Sequence, residues 1–165
     1  MDHSTPRTAR AEAVPPGQTA RVPLQVRLFS PILKFLLAAG VPLGFNGLIT
    51  IRGRKTGLPR TAAVAIIRVS GKRYVWAPWG EVHWVRNLRA ASRATITVRR
   101  RTEDVTATEL DAAQRVEFFR DRLGPLARSF PFGATFIRIV DGVDINRPEE
   151  AAEGRRVFEL HSVDR

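Results

Sequence analysis

The stretch from Ile49 to Ala65, ITIRGRKTGLPRTAAVA, constrains the fold of this chain more than any other part of the sequence. Two apolar runs rich in β-branched residues flank a turn that contains Gly53, Gly57 and Pro59. Glycine reaches backbone conformations that other residues avoid, and proline fixes its own φ and holds the preceding Leu58 extended. The pattern therefore predicts two strands joined by a tight connection.

The connection is also strongly cationic, with Arg52, Arg54, Lys55 and Arg60. Arginine matches the geometry of phosphate and carboxylate groups with two parallel hydrogen bonds, and the backbone N–H groups of a turn can form a nest for an anion. The connection is not a nucleotide-binding P-loop, because the motif G-x-x-x-x-G-K-[ST] is absent. The residues alone leave two interpretations: an anion-binding turn or a solvated basic hairpin.

The net charge and the composition also indicate which kinds of partner and site to expect. The 165 residues, enough for one domain with a hydrophobic core, include 27 Lys and Arg against 16 Asp and Glu, a formal net charge of +11. This charge favours a polyanionic partner such as nucleic acid, an anionic membrane, or a phosphorylated or carboxylated small molecule. Most of the cations are arginines, a usage that a GC-rich genome also produces. With no Cys, and with His3, His83 and His161 lacking metal-ligand spacing, the sequence predicts no disulfide, thiolate nucleophile or metal site.

The N-terminal part differs from the rest of the chain. Residues 1–20 are polar and rich in proline, which predicts a mobile tail without a signal peptide, followed by a single domain over residues 21–165. Pro31 marks a helix start and Gly40 a helix stop. The apolar run around this helix is too interrupted to span a membrane. We expect residues 21–43 to pack on the sheet, with peripheral membrane contact as the alternative.

Six short β-prone runs, separated by turn residues and few helices, predict a mainly β (α+β) fold. The expected architecture is an antiparallel barrel of about six strands with peripheral helices. The predicted strands are residues 47–52, 61–69, 73–77, 94–100, 105–110 and 157–161. The second of them is apolar almost throughout, which indicates a central strand.

Two helices are predicted among these strands. The run EVHWVRNLRAA at residues 81–91 has helical spacing of its apolar residues. Its core-facing residues are Trp84, Val85 and Leu88. A capping box of Asp111 and Gln114 predicts the start of the second helix. Its apolar stripe is Ala112, Val116, Phe119 and Leu123. The proline- and aromatic-rich residues 124–136 predict irregular structure.

Three segments follow one another in a specific order: GRKTGLPRT from Gly53, PWGEVHWVRNLRAA from Pro78, and ATITVRR from Ala94. In this order and spacing, the chain resembles the deazaflavin-dependent nitroreductase family of the flavin/deazaflavin oxidoreductases, from about Val41 to Leu160. The resemblance implies a split β-barrel that binds F420, an 8-hydroxy-5-deazaflavin with a phosphate and a polyglutamate tail. We expect a cytoplasmic monomer or homodimer.

The resemblance implies cofactor-binding residues in three places. Those in the basic turn are Arg54, Lys55, Thr56 and Arg60. Their cations would pair with the phosphate and the tail carboxylates, each contact contributing about 1.5–3 kcal/mol. Those at the end of the third strand are Trp76, Ala77 and Pro78, with Trp79 as a cover for the cofactor. Those on the following helix are Trp84 and Asn87, for which core packing and simple exposure are the respective alternatives.

Two departures from the family pattern bear on the chemistry. The loop after the third strand reads PWGE from Pro78, where the family often has Ser-Lys-Gly-Gly, so one cation is lost and Glu81 adds an anion. The segment expected to contact the substrate holds Phe130, Phe132 and Phe136 in place of several tyrosines. An apolar, electron-poor acceptor such as a quinone is therefore favoured, with a nitroaromatic as the less suitable acceptor.

The expected reaction is hydride transfer from C5 of the reduced deazaflavin to this acceptor. The cofactor supplies that chemistry, so no catalytic side chain is assigned, and Tyr74 and His83 are candidate proton donors. One alternative is an FMN- or haem-related binder of the same fold, although the single phosphate of FMN would not need four cations. A second is a basic nucleic-acid-binding β-barrel, which needs exposed aromatic residues among arginines on a strand face. The strands lack that pattern, so nucleic acid is not the expected partner.

Overall fold

Six antiparallel strands close into a barrel in the computed structural model, which describes residues 46–129, 134, 137, 138 and 141–163. The strands are β1 (Asn46–Arg52), β2 (Pro59–Val69), β3 (Lys72–Ala77), β4 (Arg93–Val98), β5 (Arg101–Glu109) and β6 (Arg156–Ser162). Their order around the barrel is β1-β2-β3-β6-β5-β4, and pairing of β4 with β1 closes it. The predicted six-stranded antiparallel barrel is confirmed. The predictions for residues 1–20 and 21–43 lie outside the described residues.

The interior of the barrel is filled by alternate residues of every strand. Cross-strand partners share a face, so Ile49 opposite both Ala62 and Ile96 marks the inward-facing rows of β1, β2 and β4. The buried residues of this barrel core include Ile49, Ile51, Val64, Ile66, Val75, Ala77, Ala94, Ile96, Val105, Phe158 and Leu160. Because only alternate residues face this interior, short strands that mix Val, Ile and Ala with Thr can form the barrel.

A short helix packs against one end of the barrel. Helix α1 (His83–Ala91) follows β3 and ends at Ser92, which has a left-handed φ of 52°. As predicted, Val85 and Leu88 face the barrel core and are fully buried, and Trp84 is half-buried against it. We call this the turn end of the barrel, because the β1–β2 turn, the β3–α1 loop and α1 all lie there. The β2–β3 and β4–β5 turns lie at the far end.

A second helical segment covers the outside of the barrel. It comprises α2 (Ala112–Glu117), a π-helical stretch (Phe118–Leu123) and α3 (Gly124–Arg128), and the later helix α4 (Pro148–Ala152) packs beside it. The predicted capping box is confirmed: the Gln114 backbone N–H donates to Asp111 Oδ1 at 2.8 Å, and the Asp111 backbone N–H donates to Gln114 Oε1 at 3.0 Å. The prediction of irregular structure is wrong for Gly124–Arg128. Pro125 lies in the first turn of α3, where a missing N–H costs little.

A second apolar cluster lies between the outer face of the barrel and these helices. This outer cluster joins β2 and β3 to the helical segment and to residues 143–157. Its largest members are Ile67, Tyr74, Trp76, Phe118, Phe119 and Leu123. Strand β2 is therefore covered on both faces in its C-terminal half, with Ile66 inside and Ile67 outside. This double cover explains the nearly continuous apolar sequence of β2.

Candidate functional site

The β1–β2 turn is tight and held by backbone hydrogen bonds. The Gly53 N–H donates to Leu58 O at 2.8 Å, and the Gly57 N–H donates to Gly53 O at 2.7 Å. Gly57 has a φ of 69°, which favours glycine. A Cβ on Gly53 would lie 3.1 Å from Leu58 O and from Thr56 Oγ1, so the chain could not pack this closely around a side chain. The turn is the tight connection that the sequence predicts.

The predicted cations lie on this turn at the turn end of the barrel. Arg54, Lys55 and Arg60 are exposed. Arg60 opposes Ile51 in the β1–β2 register, so it belongs to the inward-facing row of β2, at the mouth of the barrel. Arg52 lies on the outward-facing row, where its Nε donates to Gly57 O at 3.1 Å. Thr56 Oγ1 accepts a hydrogen bond from the Leu58 N–H at 3.4 Å and so supports the turn.

The turn cations have no acidic partner in the part of the chain that the structure describes. The ion pairs between described residues join carboxylates to cations elsewhere, for example Glu103 to Arg73 and Glu159 to Lys72. Among the described residues, no carboxylate forms an ion pair with Arg54, Lys55 or Arg60. The turn therefore presents uncompensated positive charge, which attracts an anion.

Helix α1 contacts the turn through one polar side chain. Asn87 is 7% exposed, and its Oδ1 accepts hydrogen bonds from the Arg54 backbone N–H at 3.3 Å and from Arg54 Nη1 at 2.9 Å. The alternative that Asn87 is simply exposed is therefore wrong. His83 precedes Asn87 by four residues on α1, so the two side chains are neighbours on the helix surface, and His83 is exposed.

The loop between β3 and α1 is pinned by an ion-pair cluster. Glu81 Oε1 lies 2.8 Å from Arg89 Nη2 and 2.8 Å from Arg156 Nε, and Glu109 Oε2 lies 2.6 Å from Arg89 Nε. The hydrogen bond from Arg89 holds the pKa of Glu81 below its ordinary value. Glu81 therefore adds an anion to this loop, as the sequence indicates, but the anion is held in ion pairs. Its charge is balanced by two arginines that link the loop to α1 and β6.

The predicted apolar residues divide between the two sides of the sheet. Ala77 and Trp84 contact the barrel core, and the Trp84 ring lies 6.2 Å from that of Phe158. Trp76 instead belongs to the outer cluster, 5.5 Å from the ring of Phe119. Pro78 and Trp79 are half-buried on the loop at the turn end. The structure therefore gathers nine of the ten predicted residues at the turn end, while the Trp76 side chain faces away from them.

The two candidate proton donors are also separated. Tyr74 is almost fully buried in the outer cluster, 5.0 Å from the ring of Phe118, and burial raises its pKa. His83 lies at the turn end. Phe130, Phe132 and Phe136 lie outside the described residues.

An open groove of about 470 Å³ runs along the outer face of β1, β4 and β5. Its polar side chains are Thr50, Arg52, Arg93, Thr95 and Asp104. None of the ten predicted site residues lines it. Within the described ranges, no three His, Asp or Glu residues are grouped to hold a metal ion, and no helix has the length and hydropathy to cross a membrane.

Comparison with known proteins gives one extensive match. The model of a family described as F420H(2)-dependent quinone reductase matches residues 38–125, which is 88 of the 165 residues. No curated protein matches the chain.

Solved structures with a similar fold include an F420-H2-dependent reductase, at 19% identity and TM-score 0.46, covering 71% of this chain and 94% of that one. A putative pyridoxamine 5'-phosphate oxidase from Listeria innocua has 10% identity and TM-score 0.47, covering 80% and 94%. A haem storage protein from Vibrio cholerae has 14% identity and TM-score 0.47, covering 81% and 92%.

Proposed function

The chain belongs to the F420H(2)-dependent quinone reductase family, and from this premise we propose that it reduces a quinone with F420 bound at the β1–β2 turn. The observation that carries the proposal is a set of three exposed cations that no described carboxylate pairs: Arg54 and Lys55 on the tight β1–β2 turn, and Arg60 at the start of β2. F420 bears a phosphate and several glutamate carboxylates, so its anionic part suits such a turn.

The anionic part of the cofactor can be assigned to particular groups. Arg60, on the inward-facing row, would meet the phosphate at the mouth of the barrel, and Lys55 and the free guanidinium nitrogens of Arg54 would meet the tail carboxylates. Thr56 supports the turn through its hydrogen bond to Leu58. Because all three cations are exposed, each contact should be sensitive to salt.

The apolar part of the cofactor would lie beside the β3–α1 loop. Ala77, Pro78, Trp79 and Trp84 bring apolar surface to the turn end. Trp76 would act indirectly, because it fixes the end of β3 against Phe119 of the outer cluster. The ion pairs of Glu81 with Arg89 and Arg156 hold the loop that carries Trp79.

When bound in its reduced form, F420 supplies a hydride, and a quinone that accepts it needs one proton to become the hydroquinone. The cofactor loses two electrons in this reaction and the quinone gains them. We favour His83 over Tyr74 as the proton source, since His83 is exposed one helical turn before Asn87, whereas Tyr74 is buried in the outer cluster.

The test follows the absorbance of reduced F420 in the presence of menadione and the protein. We expect saturable oxidation of the cofactor by the wild-type protein. Arg60→Glu should raise the F420 dissociation constant at least tenfold, because it removes one charge-assisted contact of about 1.5–3 kcal/mol and adds repulsion. Arg101→Glu makes the same charge change at the far end of the barrel and should bind F420 as the wild type does. Equal affinities in the two variants would refute the proposed site.

Two other functions are distinguished by simple measurements. An FMN-binding protein would bind FMN at least as tightly as F420, whereas the multiple turn cations predict tighter binding of F420. A nucleic-acid-binding barrel would shift an oligonucleotide in a salt-dependent gel assay. Among the described residues no Phe, Tyr or Trp side chain is exposed, so the stacking surface that this second function requires is not formed there.

A further inference from the structure

Among the described residues, Asn87 is the one buried residue whose side chain is neither apolar nor aromatic. It lies on α1 between Val85 and Leu88, which are fully buried in the barrel core. A buried amide oxygen needs a hydrogen-bond donor, because leaving it unsatisfied destabilises the fold. Both donors to this oxygen come from one residue, Arg54, which is 33 residues away in the sequence.

The two hydrogen bonds fix different parts of Arg54. The bond to the backbone N–H, at 3.3 Å, ties the turn to α1 and hence to the barrel core. The bond to Nη1, at 2.9 Å, fixes the end of the same side chain. The guanidinium has five N–H donors, so one used by Asn87 leaves the others available for an anion. The arrangement thus orients Arg54 without neutralising it.

We infer that Asn87 is a positioning residue, which raises the affinity of the turn for an anion by holding Arg54 in place before the ligand binds. It acts through Arg54 and does not touch the ligand. A group that is already ordered loses less conformational freedom on binding. The inference rests on the proposed function only in that the turn binds the anionic part of F420.

A neutral amide is the side chain that this role requires. Aspartate in the same place would also accept hydrogen bonds from Arg54. Its negative charge, however, would offset the positive charge of the turn and repel an anion. Leucine has a similar size and accepts no hydrogen bond. Asn87→Asp therefore separates the effect of charge from the effect of position, and Asn87→Leu removes the positioning alone.

The first measurement is a double-mutant cycle for F420 binding with the wild type, Asn87→Leu, Arg54→Ala and the double variant. We expect Asn87→Leu to weaken binding about fivefold to tenfold and Arg54→Ala at least as much. If Asn87 acts through Arg54, the double variant should bind no more weakly than Arg54→Ala. Additive losses would show that Asn87 contacts the ligand itself and would overturn the inference.

The second measurement needs no ligand and so separates this inference from the proposed function. Amide hydrogen exchange of Arg54 should be faster in Asn87→Leu and as slow as in the wild type in Asn87→Asp. The Gly53 amide, which donates to Leu58 O, is the internal control and should not change. Unchanged exchange at Arg54 in Asn87→Leu would overturn the inference. If the wild type fails to bind F420, the proposed function fails, while the exchange data still decide whether Asn87 holds the turn.

Discussion

Arg73 and Glu103 close the far end of the barrel with an ion pair on its inward-facing rows. Arg73 Nη1 donates to Glu103 Oε2 at 2.5 Å, its Nη2 donates to Glu103 Oε1 at 2.9 Å, and Nη2 also contacts Ser162 Oγ at 2.6 Å. The Arg73 side chain is 11% exposed and that of Glu103 is 40% exposed. An arginine on the inward-facing rows is thus neutralised at the far end, whereas Arg60, on the inward-facing row of β2 at the turn end, has no ion-pair partner among the described residues.

The Arg73–Glu103 pair predicts a pH-dependent contribution to stability. The hydrogen bonds from Arg73 lower the pKa of Glu103 from 4.5 to about 2. Because the folded-state pKa lies below the unfolded-state value, the stabilisation is complete above about pH 4.5 and is lost as the pH falls towards 2. Glu103→Gln should lower the free energy of unfolding by about 1 kcal/mol at pH 7, since the carboxylate is partly solvated, and by less at pH 3.

Urea unfolding of the wild type and Glu103→Gln at both pH values checks this prediction. Glu153→Gln is the matched control, because Glu153 is exposed and no ion pair joins it to another described residue. The control should differ little from the wild type at either pH. A deficit in Glu103→Gln that stays constant between pH 7 and pH 3 would contradict the proposed cause.

At the scale of elements, the β3–α1 loop depends on the close approach of two backbone segments. Gly80 has a φ of 69°, and a Cβ there would lie 2.7 Å from the carbonyl oxygen of Gly154, which precedes β6. Gly71, in the β2–β3 turn, has a similar φ of 75° but no atom within 4 Å of the corresponding Cβ position. Substitutions at these two glycines therefore distinguish the cost of backbone strain from the cost of steric overlap.

This contrast predicts different costs for the same substitution. Gly71→Ala should lose roughly 1–2 kcal/mol of unfolding free energy from strain alone. Gly80→Ala should lose about 1–3 kcal/mol more, because the loop must move away from Gly154. Chemical unfolding of both variants provides the comparison. Equal losses would mean that the loop has room to relax.

The strands and helices show how far alternation of apolar residues and the chemistry of turn residues can predict secondary structure. The strands were predicted from β-branched runs between turn residues. Strand β5 begins at Arg101 and not at the predicted Val105, because its charged residues still pair with β4. The predicted apolar stripe of the second helix is confirmed for Phe119 and Leu123, which are buried, and wrong for Ala112, which is exposed. The π-helical stretch also buries Phe118, and a local widening of the helix has no signature in the spacing of apolar residues.

The candidate site was only partly predictable for a related reason. The glycines, the proline and the cations predicted the turn, because their effects on the backbone and on charge are confined to neighbouring residues. The Asn87–Arg54 bond joins residues 33 positions apart, so it depends on the closure of the barrel. Tyr74 and Trp76 are two residues apart on β3 and so share one face, but tertiary packing decides whether that face lies inside the barrel or against the helices.

At the scale of the whole molecule, a ligand that binds only the folded state should stabilise the barrel. F420 at 100 times its dissociation constant adds about 2.7 kcal/mol, which corresponds to a rise of roughly 5–10 °C in Tm for a protein of this size. If the turn cations hold the phosphate and the tail, most of this rise depends on charge. We therefore expect the shift to shrink at high salt and to be much smaller with a deazaflavin that lacks the phosphate and glutamates. Differential scanning calorimetry with both ligands at equal concentration, at low and high salt, measures these differences. Equal shifts with the two ligands would place the binding energy in the ring system and leave the cationic turn without a role.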